Sequence, residues 1–247
     1  MYTRQNYRNL TDLERGSFVQ ALFHVKSTGF VDQFADIHAT HFQHGIHGNS
    51  HFLPWHREMI LRFEHELQKF DPSVTVPYWD WTVDRSPSDP LWANSFLGQF
   101  NSAWGLGRVL GGSLPTSQQV ETNQGRGTYL VFSQELEGPL HGPPHNWVGG
   151  VMSSFRSPAD PVFYLHHGQI DLLWARWQLA HPDAPFMPFG GIPNGLNDPL
   201  MEWPDRTPAD VLDHHALGYR YDFEPVVVEP VPVTLGFPLA SVSLLTL

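Results

Sequence analysis

Ten of the fifteen histidines in this chain fall into two short groups. The first group contains His38, His41, His44, His47, His51 and His56, and the second contains His141, His145, His166 and His167. Neutral imidazole is the commonest metal ligand and is the main form of histidine at pH 7. A lone histidine is more often a packing or surface residue. Two separate groups of this size instead favour a metal site.

The spacing and chemistry of the groups narrow the choice of metal. His141 and His145 are four residues apart, so in a helix they would share one face and could bind the same ion. Carboxylate-bridged di-iron sites need Glu-x-x-His motifs, which the second group lacks. One catalytic zinc needs three ligands and would leave the other group unexplained. Two all-imidazole sites suit copper, although spacing alone also allows a two-zinc hydrolase.

The composition excludes several other kinds of protein. The net charge of -11 argues against nucleic acid or an anionic membrane as a partner. The absence of cysteine excludes disulfides, thiolate nucleophiles and zinc-thiolate sites. The first sixteen residues lack the apolar stretch of a signal peptide, and no window approaches the roughly 18 apolar residues of a membrane span. We therefore expect a soluble protein.

Three helices are predicted around the first histidine group. Thr11 and Glu14 form a capping box that predicts the start of a first helix, which Gly29 would end. Apolar periodicity predicts a second helix from about residue 31 into the forties. A third is predicted over residues 54–70, with a proline in its first turn.

The second histidine group lies in a less regular part of the chain. Proline and glycine interrupt residues 71–135, which predicts long, ordered loops. A helical pattern resumes near residue 134, and Gly142-Pro143-Pro144 predicts a break in it. Asp160-Pro161 predicts the start of a helix that continues to about residue 180, and Thr207-Pro208 the start of a shorter one. Residues 225–247 are rich in Val, Pro and Leu, and we expect them to be extended.

Long motifs around both groups resemble the copper motifs of tyrosinases and related type-3 copper proteins. The segment that resembles the family's first copper motif is His47-Gly48-Asn49-Ser50-His51-Phe52-Leu53-Pro54-Trp55-His56-Arg57, and Val76-Pro77-Tyr78-Trp79-Asp80-Trp81 follows it. The second is similar to Asp160-Pro161-Val162-Phe163-Tyr164-Leu165-His166-His167 with Asp171, preceded by Trp147-Val148-Gly149-Gly150. The resemblance implies a mainly α fold, in which a four-helix bundle holds a dicopper centre, with long ordered loops and few short strands. It also implies a catalytic domain over residues 1–222, followed by an extension over residues 223–247.

The resemblance also implies a set of ligands. His38, His47 and His56 match the ligands of the first copper ion, and His141, His145 and His167 match those of the second. His166 is interpreted as a neighbour of the site, and His51, His65, His181, His214 and His215 as surface or packing residues. Without cysteine, the thioether that many fungal and plant members attach to the ligand at the position of His47 cannot form. Tyr219-Arg220-Tyr221 resembles a closing motif of the family, and stacking of Arg4 on an aromatic ring would join the two chain ends.

The family's activity is the use of dioxygen to oxidise o-diphenols to o-quinones, and small phenols are the implied substrates. Hydroxylation of monophenols is tied in the family to a water held by a Glu and an Asn. Gly142 stands at the position of that Asn, and Glu137 is the candidate Glu, at a shorter spacing than in common bacterial members. Asn146 occupies another position linked to substrate handling. Phe163 matches an aromatic that helps position the substrate ring, with core packing as the alternative role.

Other functions are compatible with the same ligands. An o-aminophenol oxidase would use the same copper pair, as would an oxygen carrier of the haemocyanin type. A small chain without repeats argues against the carrier. A non-enzymatic metal-binding protein is a further alternative, against which the long loops near the histidines argue.

Overall fold

The protein is mainly α-helical, as predicted, in a computed structural model that describes residues 1–225. Its helices are α1 (Asp12–Ser27), α2 (Phe30–His41), α3 (Phe52–Phe70), α4 (Gln99–Ala103), α5 (Ser117–Gln124), α6 (Tyr129–Glu135), α7 (Gly142–Val148), α8 (Val162–Ala180) and α9 (Pro208–Val211). Strands β1 (Tyr2–Arg4) and β2 (Tyr219–Tyr221) form a two-stranded parallel sheet. Single 3-10 turns occupy Tyr7–Asn9, Pro90–Trp92, Gly150–Ser153 and Ser157–Ala159.

Local signals start and stop the first helices as the sequence predicts. The Thr11 side chain accepts a hydrogen bond from the Glu14 amide, and the Glu14 carboxylate accepts one from the Thr11 amide, so the capping box is complete. Gly29 separates α1 from α2 with φ of +81°, a conformation that glycine adopts without strain. Asp160 Oδ1 accepts the Val162 amide at 2.9 Å, at the start of α8.

Helices α3 and α8 form the centre of the core. Each has 19 residues, most of them buried, and the two pack against each other while α1 packs on the outer side of α3. The rings of Phe63 on α3 and Tyr164 on α8 are stacked with their planes 6° apart. Burial of one large apolar side chain contributes about 1.5–3 kcal/mol. This packing therefore fixes the relative position of the helices that carry His56 and His167.

A buried cluster of charges joins the start of the chain to the Tyr219–Tyr221 segment near the end of the described residues, as the closing motif predicts. The Arg4 guanidinium lies 3.6 Å from the centre of the Tyr219 ring and pairs with Glu64 and Asp171. Asp171 also accepts hydrogen bonds from Arg57, Tyr219 and Tyr221. The Arg57 and Arg4 guanidinium groups hold the pKa of the Asp171 carboxyl below its usual value despite burial. The cluster thus attaches the β1–β2 sheet to α3 and α8.

Long loops run through residues 71–135 as predicted, although three short helices lie between them and helical structure resumes at Ser117 and Tyr129, before residue 134. One expectation about the middle of the chain is wrong. The expected break at Gly142-Pro143-Pro144 is absent: a π-helical segment, Leu136–His141, continues directly into α7. Pro143 lies in the first turn of α7, where its missing amide costs no intrahelical hydrogen bond.

Two further expectations, the C-terminal extension and the absence of a membrane span, can be compared with residues 1–225 only. The part of the predicted extension beyond residue 225 lies outside them, and the division into residues 1–222 and 223–247 stays a prediction. Within residues 1–225, no helix combines the length and the apolar character needed to cross a membrane.

Candidate metal centre

The first histidine group places three imidazoles close together. His38 lies on α2, His47 in the loop after it, and His56 in the second turn of α3. The ring centroids of His38 and His47 are 5.2 Å apart, those of His47 and His56 5.0 Å, and those of His38 and His56 5.7 Å. One nitrogen of each ring lies within 4.8 Å of the other two, which is close enough for one ion.

The second group supplies four imidazoles. His141 ends the π-helical segment, His145 lies on α7, and His166 and His167 lie on α8. The Nε2 atoms of His141 and His145 are 3.1 Å apart, so both face one point. The rings of His56 and His167 stack with their centroids 4.3 Å apart. The two groups therefore adjoin, and two ions bound in them would be neighbours.

Backbone carbonyls fix the orientation of most of these rings. The Nδ1 atoms of His38, His56 and His145 lie 2.7–2.8 Å from the carbonyl oxygens of Phe155, Phe52 and Met152. His141 Nδ1 lies 3.2 Å from the Glu137 carbonyl. Because a carbonyl only accepts, Nδ1 carries the proton in each ring, and the Nε2 lone pair is left for a metal.

Burial keeps the imidazoles neutral. It lowers the pKa of His38 and of His145 to about 4, and it holds the pKa values of His47, His56, His141 and His167 well below the usual range. A metal ligand must be unprotonated, so these values favour binding at neutral pH.

Several ring nitrogens have no partner inside the described protein. They include Nε2 of His38 and His56 and both ring nitrogens of His167, all buried. A buried polar atom without a hydrogen bond costs about 1–3 kcal/mol, so a cluster of such atoms needs another partner. An all-imidazole set with converging free nitrogens fits a pair of copper ions. Cysteine cannot contribute a ligand or a crosslink, because the chain has none.

An open cavity of about 200 Å³ lies beside the histidines. Its walls include four of the imidazoles, the aromatic rings of Phe42 and Phe155, Met152 and three serines. Phe42 stacks on Phe155 with centroids 4.3 Å apart and lies 4.4 Å from the His47 ring. Histidines apart, none of the described lining residues is ionisable. The cavity is smaller than the pockets that hold drug-sized ligands, and its walls suit a small, uncharged aromatic molecule.

The residues predicted to handle substrate lie at different depths. Gly142 and Asn146 line the cavity. Glu137 lies beside the first histidine group, where its Oε1 accepts the Gly48 amide at 2.7 Å, and burial raises its pKa to about 7. Phe163 is fully buried beneath the imidazoles, 4.2 Å from the ring of His167, and is not part of the described cavity lining. The substrate roles of these residues stay predictions.

The neighbouring histidines of the first group face elsewhere. His41 Nε2 lies 3.1 Å from Glu202, His44 bonds the Thr40 carbonyl near the end of α2, and His51 bonds the Gly195 carbonyl. His166 differs, because it is buried in the second group and accepts the Trp81 indole N–H on its Nδ1 at 3.2 Å.

Sequence reasoning missed part of the cavity. Phe42 lies one helical turn after His38, and this spacing was a signal that the two could share a face. Met152, Ser154 and Phe155 gave no signal. They reach the site because the 3-10 turn Ser157–Ala159 packs against α2, and the turn Gly150–Ser153 packs against Ser157–Ala159.

A mainly helical fold that gathers two adjoining groups of buried, neutral imidazoles defines a dinuclear metal protein. A family model described as the common central domain of tyrosinase matches residues 29–103 and 109–180. Tyrosinase of Streptomyces antibioticus is 39% identical over 273 residues, covering 90% of this chain and 100% of that relative. Grixazone synthase of Streptomyces griseus is 34% identical, with 90% and 99% covered.

This chain belongs to the tyrosinase family. It is a copper oxidoreductase of the tyrosinase type, with a dinuclear copper centre, phenolic substrates and dioxygen as co-substrate. A functional unit of Octopus hemocyanin is similar in structure, with a TM-score of 0.69 and 24% identity over 90% of this chain and 68% of that one. At this identity the likeness concerns the fold alone. The family excludes the two-zinc hydrolase and the non-enzymatic alternative.

Proposed function

We propose that the chain oxidises o-diphenols to o-quinones at a copper pair held by six histidines. His38, His47 and His56 would bind one ion, and His141, His145 and His167 the other. The observation that carries this proposal is the convergence of unpartnered ring nitrogens from both groups beside an open, uncharged cavity. His166 is left out because its Nδ1 accepts the Trp81 indole N–H, so the neutral ring carries its proton on Nε2 and keeps no lone pair for a metal. Its neighbour His167 instead stacks directly on His56.

When bound, the copper pair supplies the binding of dioxygen and the transfer of electrons from the phenol. The protein orients the imidazole ligands and encloses the phenol substrate. Carbonyls of Phe52, Met152 and Phe155 hold the imidazoles in one tautomer. The Phe42–Phe155 pair forms an aromatic wall against which a phenol ring would stack. Because the described cavity lining offers no charged partner, small uncharged catechols should bind better than amino-acid phenols, whose charged groups would lose hydration.

A substrate panel on copper-loaded protein tests this proposal. Catechol and o-aminophenol should consume dioxygen without a lag, whereas tyrosine and tyramine should react slowly. Oxygen uptake, product absorbance and copper content per chain are the measurements. Protein that contains two copper ions but does not oxidise catechol would contradict the proposal. Oxidation of o-aminophenol but not catechol would instead favour the o-aminophenol oxidase.

Monophenol hydroxylation should depend on position 142. Gly142 has helical φ and ψ of −61° and −47°, and a Cβ added there meets no atom within 4 Å. The variant Gly142→Asn should therefore fold normally and place an amide in the cavity wall, where it could help Glu137 hold a water. Proton transfer by a positioned group contributes about 10²–10⁴-fold. We expect the ratio of tyramine to catechol turnover to rise by at least about 10-fold.

The variant Gly142→Ala is the matched control, because it adds the Cβ without the amide. Adding Glu137→Gln to Gly142→Asn should cancel the gain, since glutamine cannot take up the phenol proton. Equal tyramine turnover in the Asn and Ala variants would refute the role of this position. A gain that survives Glu137→Gln would refute the role of Glu137.

A further inference from the structure

A third group of metal-ligand side chains lies apart from the six histidines, at the end of the described chain. His214 and His215 follow α9, and Glu224 follows β2. His214 Nε2 is 2.9 Å from Glu224 Oε1, and His215 Nε2 bonds the other carboxylate oxygen, Oε2. The ligand atoms of the three residues all lie within 4.8 Å of one another.

This group is separate from the copper pair. Among the described residues, the ring contacts of His214 are with His215, Tyr219 and Tyr221, and none is with a histidine of the first two groups. The guanidinium of Arg57, which would repel a cation near His214, is neutralised by Asp171 at 2.5 Å.

The donor set suits a divalent ion of borderline softness. Two imidazoles and one carboxylate bind Zn²⁺ at about 2.0–2.2 Å and leave further positions for water. His214 and Glu224 are buried, whereas the side chain of His215 is 41% exposed, so the group opens to solvent on one side. An ion can therefore enter without unfolding, and its remaining ligands can be water.

The Glu224 carboxylate is held in place by partners on both of its oxygens. His214 Nε2 contacts Oε1 and His215 Nε2 contacts Oε2, so an ion that enters the group takes the place of these two contacts. The Tyr221 amide donates to Oε1 at 2.8 Å, which fixes the carboxylate in place.

We propose that His214, His215 and Glu224 form a third metal site, which binds one Zn²⁺ or a divalent ion with the same ligand preference. The ion links His214 and His215, which precede β2, to Glu224, which follows it. It thereby stabilises the strand whose tyrosines bond Asp171. The site takes no part in phenol oxidation and is independent of the substrate proposed above.

Zinc titration of the copper-loaded full chain tests the site. Metal analysis after removal of free ions should find one zinc per chain with the copper content unchanged. Zinc at a hundredfold excess over its Kd should raise the Tm by about 5 °C or more. Zinc that displaces copper, or that does not bind, would overturn the proposal.

Two variants and a control complete the experiment. His215→Ala and Glu224→Gln should each weaken zinc binding by at least about 10-fold and abolish the Tm increase. Both should retain two copper ions and catechol turnover. His65→Ala, an exposed histidine on α3, should bind zinc as the wild type does. Unchanged zinc affinity in the His215 and Glu224 variants would refute the site, and Glu224→Gln gives the answer if His215→Ala does not fold.

Discussion

Replacing His56 with alanine should remove one copper ion and lower catechol turnover by more than about 100-fold. The Nε2 atom of His56 is buried without a partner, and its Nδ1 is held by the Phe52 carbonyl. Loss of a residue that only supports a ligand already costs about 10–100-fold in affinity or activity, so loss of the ligand itself should cost more. His167→Ala should behave in the same way for the other ion.

Copper content per chain, oxygen uptake with catechol and the circular dichroism spectrum are the measurements. His65→Ala is the matched control for His56→Ala, because it removes an exposed imidazole from the same helix. The control should keep both ions and wild-type turnover. Two copper ions and full turnover in either His56→Ala or His167→Ala would refute the ligand assignment.

Replacing Asp171 with asparagine should destabilise the fold by about 3–5 kcal/mol, the usual cost of removing one partner from a buried ion pair. The asparagine keeps the shape but leaves the guanidinium of Arg57 buried without its counter-charge. It also replaces an acceptor of the Tyr219 and Tyr221 hydroxyls with a weaker one. At about 2–4 °C per kcal/mol for a chain of this size, the Tm should fall by at least about 6 °C.

Thermal or denaturant unfolding of copper-loaded protein would measure this loss. Asp205→Asn is the matched control, since Asp205 is 72% exposed and its nearest cation, on Arg62, is 3.5 Å away. An exposed pair of this kind contributes about 0–1 kcal/mol. If the two variants unfold at the same temperature, the buried cluster does not have the role assigned to it.

Helices that begin at a capping box within their own sequence could be predicted. Helices whose course depends on the structure of neighbouring segments could not. Thr11 and Glu14 determine the start of α1 within one turn. Thr116 and Gln119 form an equally complete capping box for α5, a signal that was present but masked by the surrounding glycines and prolines. Pro143 is a different case. A proline breaks a helix when it lies in the helix interior, but it is favoured in the first turn. Which of the two roles Pro143 has depends on the π-helical segment Leu136–His141 that precedes α7.

The candidate ligands were predictable because they lie in long motifs on or beside helices. The cavity was not, because it forms where distant segments meet. Phe42 and Phe155 are far apart in the chain and stack only after the segment that contains the 3-10 turn Ser157–Ala159 packs against α2. The same holds for His214, His215 and Glu224, where the adjacent histidines are visible in the sequence and their carboxylate partner is not.

The pairing of β1 with β2 also determines when this protein can complete its fold. Arg220 bonds Thr3, which lies 217 positions away in the sequence, so this contact closes almost the whole described chain. During synthesis, all six candidate ligands leave the ribosome before Tyr219 and Tyr221 do. Contacts between residues so far apart in sequence form late in folding. The copper pair is therefore expected to be loaded late, into a fold in which β1 and β2 are already paired.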